Sequence, residues 1–367
     1  MEEPRSLKPE EMKSVERLVD VTFMYGNDGF MRRNYPTMFN LNNIDNLIVS
    51  VDEGRVVSHV GMTERWATLA GCTVRVASIG AVATYEEYRG KGLGTILFDK
   101  SIAKAKADGV DFMLISGDRG LYRRPGGADA GCDYLGTVDL EAAKALQSNG
   151  LEVFLCSAEN IPECAAAYDT RYARFVRTAD DWYWLFKNFR CMDCEINIIG
   201  VRKNGVFRGY FGQIKPDDKG HARIVEVAGD PVDLAGAVHA AMELSGAKTA
   251  SFELQDSDSV LKSALESKGV NFKAIPCGNI VLILNFNQLM TRLYPFFESK
   301  LGIDDARKLE FTEDVEAYTL KAGDDAVTVN RAEATQIIFG HPQPKALPGL
   351  LAKAFPVPCL WYGLNYI

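Results

Sequence analysis

The chain has 367 residues, more than one compact core accommodates, which predicts two or three domains. Hydrophobic residues make up 47% and charged residues 25%, as in a soluble globular protein, and no apolar run is long enough to cross a bilayer. The net charge of -8, without clustered Lys and Arg, argues against nucleic acid as the main partner, and an acidic chain suits a cationic substrate.

The charged opening MEEPRSLKPEEMKS lacks the apolar core of a signal peptide, so a cytoplasmic protein is expected. Met12, Val15, Leu18, Val19 and Thr22 recur at a helical period, and Pro9 suits a first turn. An irregular stretch from Gly26 to Asn46 follows. Leu47 to Val51, the turn Asp52-Glu53-Gly54 and Arg55 to Met62 predict a β-hairpin. A further strand pair breaks at Ala70-Gly71 and resumes from Cys72 to Val82. A turn, a helix from Gly92 to Asp108 closed by Gly109, and a doubly buried strand Phe112 to Ser116 complete a mixed α/β unit.

Residues 140–190 read as helical, with Trp182 and Trp184 in a polar-aromatic patch. From Glu195 a second α/β pattern begins. Strands are expected at Glu195 to Arg202, Val206 to Ile214 and Ala222 to Val227, then a helix near Pro231 to Leu244. Strand Thr249 to Leu254, helix Ser257 to Ser267 and strand Ile280 to Asn285 follow. The order partly echoes the first unit and suggests a diverged duplication. The tail has a helix from Gln288 to Lys300, β-rich stretches from Lys308 to Val329 and a helix from Arg331 to Phe339. A Pro-rich run leads to Trp361-Tyr-Gly-Leu-Asn-Tyr-Ile367. The expected fold class is α/β (α+β), with mixed sheets flanked by helices and domains at 1–150, 151–286 and 287–367.

Eight cysteines are scattered along the chain and predict free, mostly buried thiols. The one CxxC, Cys191-Met-Asp-Cys194, lacks a second pair, and none of the four histidines stands at a zinc-site spacing, so no metal is expected.

The informative stretch is Ile79-Gly-Ala-Val-Ala-Thr-Tyr-Glu-Glu-Tyr-Arg-Gly-Lys-Gly-Leu-Gly-Thr95. A strand ends, a glycine-rich turn bearing Arg89 and Lys91 follows, and a helix begins. Gly90, Gly92 and Gly94 let backbone approach a ligand, and the new helix presents unpaired N–H groups and a positive dipole end. That combination is an anion site suited to a pyrophosphate. The P-loop pattern fails because Gly92 follows Lys91. The dinucleotide fingerprint fails because Thr95 stands at its third glycine and the preceding strands look antiparallel. Arg89, Gly92 and Gly94 fit R-x-x-G-x-G.

That last pattern resembles the pyrophosphate motif of the GNAT superfamily of N-acetyltransferases. The resemblance implies acetyl-CoA as cosubstrate, lying between the strand that ends at Thr84 and the strand Phe112 to Ser116. The backbones of Val82, Ala83 and Thr84 would hold the pantetheine arm. The amides of Arg89, Gly90, Lys91, Gly92, Leu93, Gly94 and Thr95 would hold the pyrophosphate, and Gly117 and Asp118 would line the site. Family members protonate the departing thiolate with a tyrosine near this point, which carries over to Tyr122. Glu86 and Glu87 stand as solvated turn residues or as water-mediated activators of the amine. Phe23, Tyr25 and Trp66 are core aromatics or walls of the acceptor pocket.

Over the whole chain, the order of units resembles the Eis-like (enhanced intracellular survival) acetyltransferases. These have two fused GNAT-like units and a C-terminal domain similar to sterol carrier proteins (SCP2-like). The resemblance carries Leu121-Tyr-Arg-Arg-Pro-Gly126, Ile337-Ile-Phe-Gly340 and the aromatic tail. The second unit, with Ala228-Gly-Asp-Pro231 after its strand, has lost the motif and is expected to bind no CoA. The family's terminal carboxylate acts as general base, which implies the α-carboxylate of Ile367. Pro125 and Gly127 replace the aromatics usual after the catalytic tyrosine, which alters the acceptor pocket. The function implied is direct transfer to a primary amine, of a small molecule or a peptide, in a homo-oligomer without membrane or nucleic-acid partners. The rivals are a non-catalytic acyl-CoA sensor and a lipid carrier acting through the tail.

Overall fold

A computed structural model describes residues 1–26, 29–278, 280–315 and 317–365. Two compact units divide the chain. The first holds Met1–Ala130 and Gly278–Val357, and the second holds Gly131–Cys277 with residues 358–365 of the tail.

The first unit is built on a mixed sheet. Its strands run, in spatial order, Arg5–Ser6, Leu47–Asp52, Arg55–Leu69, Cys72–Thr84, Phe112–Ile115, Ile280–Ile283 and Ala128–Asp129. The one parallel pairing among them joins Cys72–Thr84 to Phe112–Ile115, and the helix Leu93–Ala107 makes that crossover. This helix buries Leu97, Phe98 and Ala105 against Val60, Met62, Ala77, Ile79, Met113 and Ile115. At about 25 cal/mol per Å² of apolar surface, such a face outweighs what helix propensity alone supplies. The hairpin turn falls at Glu53 and Gly54, both with positive φ (49° and 76°), the conformation that suits the strands' twist.

The tail segment 286–339 belongs to this same unit. Helices Phe286–Arg292 and Tyr294–Leu301 lead into a three-stranded antiparallel sheet, Leu309–Glu313, Ala317–Ala322 and Asp325–Asn330, followed by helix Arg331–Phe339. The Phe286 ring stacks on Tyr318 at 4.1 Å. Asp111, fully buried at the start of its strand, accepts from the Gln288 side chain at 2.8 Å and pairs with Arg292. That ion pair ties the tail helices to the first sheet.

The second unit repeats the plan. Its strands run Arg190–Cys191, Cys194–Lys203, Val206–Ile214, His221–Gly229, Thr249–Gln255, Cys132–Asp139 and Phe272–Pro276, with Leu151–Leu155 added beside Cys194–Lys203. Again one parallel pairing, His221–Gly229 with Thr249–Gln255, is bridged by a helix, Pro231–Ser245. Leu234, Val238, Ala241 and Met242 bury that helix on Phe211, Ile224, Val227 and Phe252.

The breaks expected after residues 150 and 286 differ from this division because two strands are exchanged. Cys132–Asp139 completes the second sheet, beside Thr249–Gln255, and Ile280–Ile283 completes the first, beside Phe112–Ile115. The stretch 140–190, expected to be helical, also carries strand Leu151–Leu155 before helix Ile161–Tyr168 and strand Ala173–Phe175 between that helix and Ala179–Asn188. Leu151–Leu155 pairs antiparallel with Cys194–Lys203, and that non-local pairing outweighs the helical formers on either side.

One buried carboxyl in the second unit gives a pH-dependent stability. Asp133 is 3% exposed and accepts from the Cys277 thiol at 3.0 Å. Burial, with Glu253, Asp258 and Asp256 adding repulsion, pushes its pKa up to about 7. The unfolded carboxyl titrates near ~4, so the folded state binds more protons between about pH 4 and 7 and loses stability as pH rises through that window. Asp133→Asn is expected to raise the melting temperature at pH 8 and to lose that advantage towards pH 4. An equal advantage at pH 5 and pH 8, followed by circular dichroism, would refute this.

Candidate active site

The geometry of the site begins with the parallel pair. Val76–Ile79 pairs with Phe112–Ile115, and the ladder stops there. Beyond it, Cys72–Thr84 runs on to Thr84 paired only with Arg55–Leu69 on its other side, while the neighbouring strand ends at Ile115 and the chain turns at Gly117 (φ 133°). Two strands that part at their carboxyl ends leave a cleft, the usual ligand position in such sheets.

A bulge shapes this end of Cys72–Thr84. Gly61 pairs with Gly80 and His59 with Ala83, so two residues, Ala81 and Val82, face Val60 alone. Ala81 takes φ 51°, a left-handed backbone that costs a non-glycine residue roughly 1 kcal/mol or more. Val82 and Thr84 are half-buried and Ala83 is buried, so the segment is partly open to a ligand. At its end the Thr84 hydroxyl lies 2.8 Å from that of Ser58.

A turn and a helix start follow. Gly90 (φ 77°) and Gly92 (φ 75°) adopt the left-handed conformation that glycine takes without strain, and a Cβ on either, or on Gly94, would enter open space. Gly92 is the N-cap of Leu93–Ala107 and has no side chain to satisfy the helix's first N–H groups. Those of Leu93, Gly94 and Thr95 thus stand at the positive end of a 15-residue helix. Arg89 is exposed and its Nε donates to the Thr84 carbonyl at 3.2 Å. Lys91 is exposed, its Nζ 4.6 Å from the Tyr88 ring centre, and Tyr88 in turn donates to Asp52 at 2.8 Å. Both cations flank the helix start without being consumed by a carboxylate. These features fit a CoA pyrophosphate. They also fit the strand backbone at Val82 to Thr84 as the holder of an amide-bearing arm.

Across the cleft lies Tyr122, on the one-turn helix Gly120–Arg123. It is 4% exposed, its ring meets Phe98 edge-on at 5.3 Å, and Gly117 lies against its edge. Burial raises its pKa, with Arg119 opposing, so the phenol keeps its proton at neutral pH. Among the described residues its hydroxyl has no hydrogen-bond partner. Asp118 turns to Arg123, which donates at 2.7 Å and holds the carboxyl below its usual range. Gly127 has a packing reason: a Cβ there would lie 2.4 Å from the Tyr122 carbonyl oxygen and 2.7 Å from Ile280. The glycine in place of an aromatic is what lets the Tyr122 turn pack on the sheet.

Other candidates fall elsewhere. Trp66 pairs with Arg75, nine residues down the strand from Thr84, or roughly 30 Å away, and lies under the Arg75 and Arg292 guanidiniums. It is not a wall of this cleft. Phe23 is exposed and Tyr25 stacks on Phe30 at 4.2 Å. Glu86 and Glu87 are exposed, and Glu87 meets Arg55 at 3.2 Å, a solvated pair. Ile367 lies outside the described residues. The eight cysteines are free thiols, and no cluster of three or more metal-ligating side chains occurs among the described residues. No helix there is long and apolar enough to cross a membrane.

In the second unit the matching positions are spent on the protein itself. Pro231 opens the helix without an N–H, and the Asp230 side chain accepts from the amides of Val232 and Asp233 at 3.1 and 3.0 Å. A carboxylate already occupies the anion position. Where the parallel strands part, the Arg171 guanidinium donates to the Val227 carbonyl and to the Gln255 side chain, the latter at 2.8 Å. Beside it, a cleft of about 170 Å³ remains, lined by Tyr172, Ala228, Pro231 and Val260 among others. Asp230-Pro231 was the sequence signal for this loss, and Arg171 left none.

Residues 3–127 match the acetyltransferase (GNAT) domain. An uncharacterized N-acetyltransferase of Chlorobaculum tepidum is 26% identical over 107 residues, and the match spans 29% of this chain and 64% of that protein. Among solved structures, a probable N-acyltransferase of Enterococcus faecalis shares 14% identity at a TM-score of 0.66, covering 92% of this chain and 90% of that one. Eis1 of Mycobacterium abscessus shares 11% identity at a TM-score of 0.64, covering 97% of each. At such identities the likeness is one of fold: tandem mixed sheets flanked by helices, with the GNAT domain in the first.

Proposed function

We propose that this chain moves an acetyl group from acetyl-CoA to a primary amine by direct transfer in a ternary complex. The observation that carries it is the uncapped helix start behind two left-handed glycines, set beside a bulged strand that parts from its parallel neighbour. The thioester supplies an activated acyl group. The amides of Leu93, Gly94 and Thr95 hold the pyrophosphate, with Arg89 and Lys91 adding charge, and the backbone from Val82 to Thr84 orients the pantetheine arm. As the amine nitrogen bonds to the acyl carbon, the carbon–sulfur bond breaks and the Tyr122 hydroxyl delivers a proton to the departing sulfur. The base carried over from the resemblance is the α-carboxylate of Ile367, which takes the proton that the amine sheds. The second unit binds no CoA.

Release of free CoA from acetyl-CoA with a panel of amines (aminoglycosides, polyamines, peptides), beside calorimetry of acetyl-CoA binding, tests this. Turnover with an amine is expected. Gly92→Glu, which places a Cβ at φ 75° and a carboxylate on the anion site, is expected to weaken acetyl-CoA binding by at least about 100-fold. Tight binding without turnover on any amine would favour an acyl-CoA sensor. Undiminished binding by Gly92→Glu would remove the assigned site.

A further inference from the structure

His59 is fully buried on the central strand of the first unit and plays no part in the proposed chemistry. Val60 and Met62 point to the helix Leu93–Ala107, so His59 and Gly61 point to the opposite face by strand alternation. There the imidazole Nδ1 lies 2.9 Å from the carbonyl oxygen of Ala81, the left-handed residue of the bulge. A carbonyl only accepts, so Nδ1 carries the proton. Burial pushes the ring's pKa down to about 4, leaving it neutral, and Nε2 has no partner among the described residues. Room for the ring has been made in the strand itself. A Cβ on Gly61 would lie 2.9 Å from the imidazole Cε1, 2.6 Å from the Met38 sulfur and 3.0 Å from the Gly80 carbonyl. The Phe39 ring, 5.9 Å away, flanks the imidazole.

We infer that His59 is a positioning residue: its Nδ1–H clamps the Ala81 carbonyl and holds the bulge that presents the backbone of Val82 to Thr84 to acetyl-CoA. The cofactor role of that backbone rests on the acetyltransferase reading above; the clamp itself does not. Alanine has no intrinsic reason to stay at φ 51°, and its carbonyl, turned out of the ladder, needs a buried donor. The imidazole supplies that donor, and glycine at position 61 admits it. Without the clamp the extra residue would relax, and the following amides would lose their fixed direction.

Three variants test this: His59→Leu, His59→Asn, whose amide nitrogen can stand where Nδ1 stands, and His59→Leu combined with Ala81→Gly. Two readouts are taken: acetyl-CoA affinity by calorimetry, and hydrogen exchange of the amides of residues 81–84 in the ligand-free protein. His59→Leu is expected to weaken acetyl-CoA binding about tenfold or more and to speed exchange there, the cost of an orphaned buried carbonyl. His59→Asn should stay within about threefold of the parent. Ala81→Gly, free of left-handed strain, should recover much of the loss in the Leu background. Folding is checked for each variant by thermal melts. A folded His59→Leu with unchanged affinity and unchanged exchange would overturn the clamp, as would a double variant no better than the single one. If the parent itself binds no acetyl-CoA, the acetyltransferase reading falls, while the exchange data still decide the role of His59.

Discussion

Tyr122→Phe is expected to lower kcat by roughly two to four orders of magnitude while leaving the KM for acetyl-CoA within a few-fold. The ring would keep its place. Its edge contact with Phe98, its burial and the turn at Arg119 all depend on the ring and backbone, not on the hydroxyl. The variant thus removes a proton and little else. A thiolate departing without a donor must be protonated by water in a cleft whose wall is buried, and that step becomes rate-limiting. Because burial raises the phenol's pKa, the parent keeps its donor protonated through neutral pH, and the basic limb of its pH profile should lie above the ordinary tyrosine range, near ~10. Steady-state kinetics of both proteins on the best amine settle the assignment. An unchanged kcat in the variant would transfer the acid role to another group or to water.

Arg177→Met is expected to cost about 3–5 kcal/mol of stability, and to lower the melting temperature of the second unit by about 10 °C or more. Arg177 and Glu226 have side chains 2% and 3% exposed and meet at 2.6 and 3.0 Å. The Tyr210 hydroxyl donates to the same carboxylate at 2.6 Å, and the Leu364 amide does so at 3.1 Å. Asn365 accepts from Arg177 Nε at 2.8 Å, and the guanidinium lies 3.8 Å from the Tyr168 ring centre. Methionine matches the arginine stem but leaves Glu226 charged and buried without its counter-ion. The penalty comes from that orphan more than from the lost attraction. Arg177→Met with Glu226→Gln should therefore be more stable than the single variant, and a double variant as unstable as the single one would show that packing, not charge, sets the cost. Differential scanning calorimetry, with the transitions of the two units resolved, supplies the measurement.

Local chemistry made much of this molecule readable in advance. The helix Leu93–Ala107 was legible to within a residue or two, because glycines bound it on both sides. The hairpin at Glu53-Gly54 and the strands Cys194–Lys203 and Val206–Ile214 were legible from alternation and turn residues. What escaped is non-local. Ile280–Ile283 is four apolar residues that would complete either sheet, and no feature of those four tells which. Ala81 carries no mark of a left-handed residue, since the cause is a histidine 22 positions earlier. Trp66 stood as a core aromatic or a pocket wall, because a tryptophan on a strand reads the same at either end of it and shows no sign of its exposure. The glycines at 90, 92 and 94 were legible as a turn and helix start, and Tyr122 only through the resemblance, whereas the bulge and the His59 contact beside them were not legible.

The exchange of strands between the two sheets also sets a timetable. Ile115 has its antiparallel neighbour at Ile280, so the first sheet lacks that strand until just over three quarters of the chain has been made. At roughly 5–20 residues per second, a ribosome takes on the order of ten to thirty seconds to span that gap. For that interval one edge of Phe112–Ile115, apolar on both faces, has no permanent partner. The second sheet, which receives Cys132–Asp139 from upstream, has all its strands by Pro276. The nascent chain thus has the means to finish its later sheet first. A fragment ending near residue 150 would hold the GNAT motif on a sheet that cannot close.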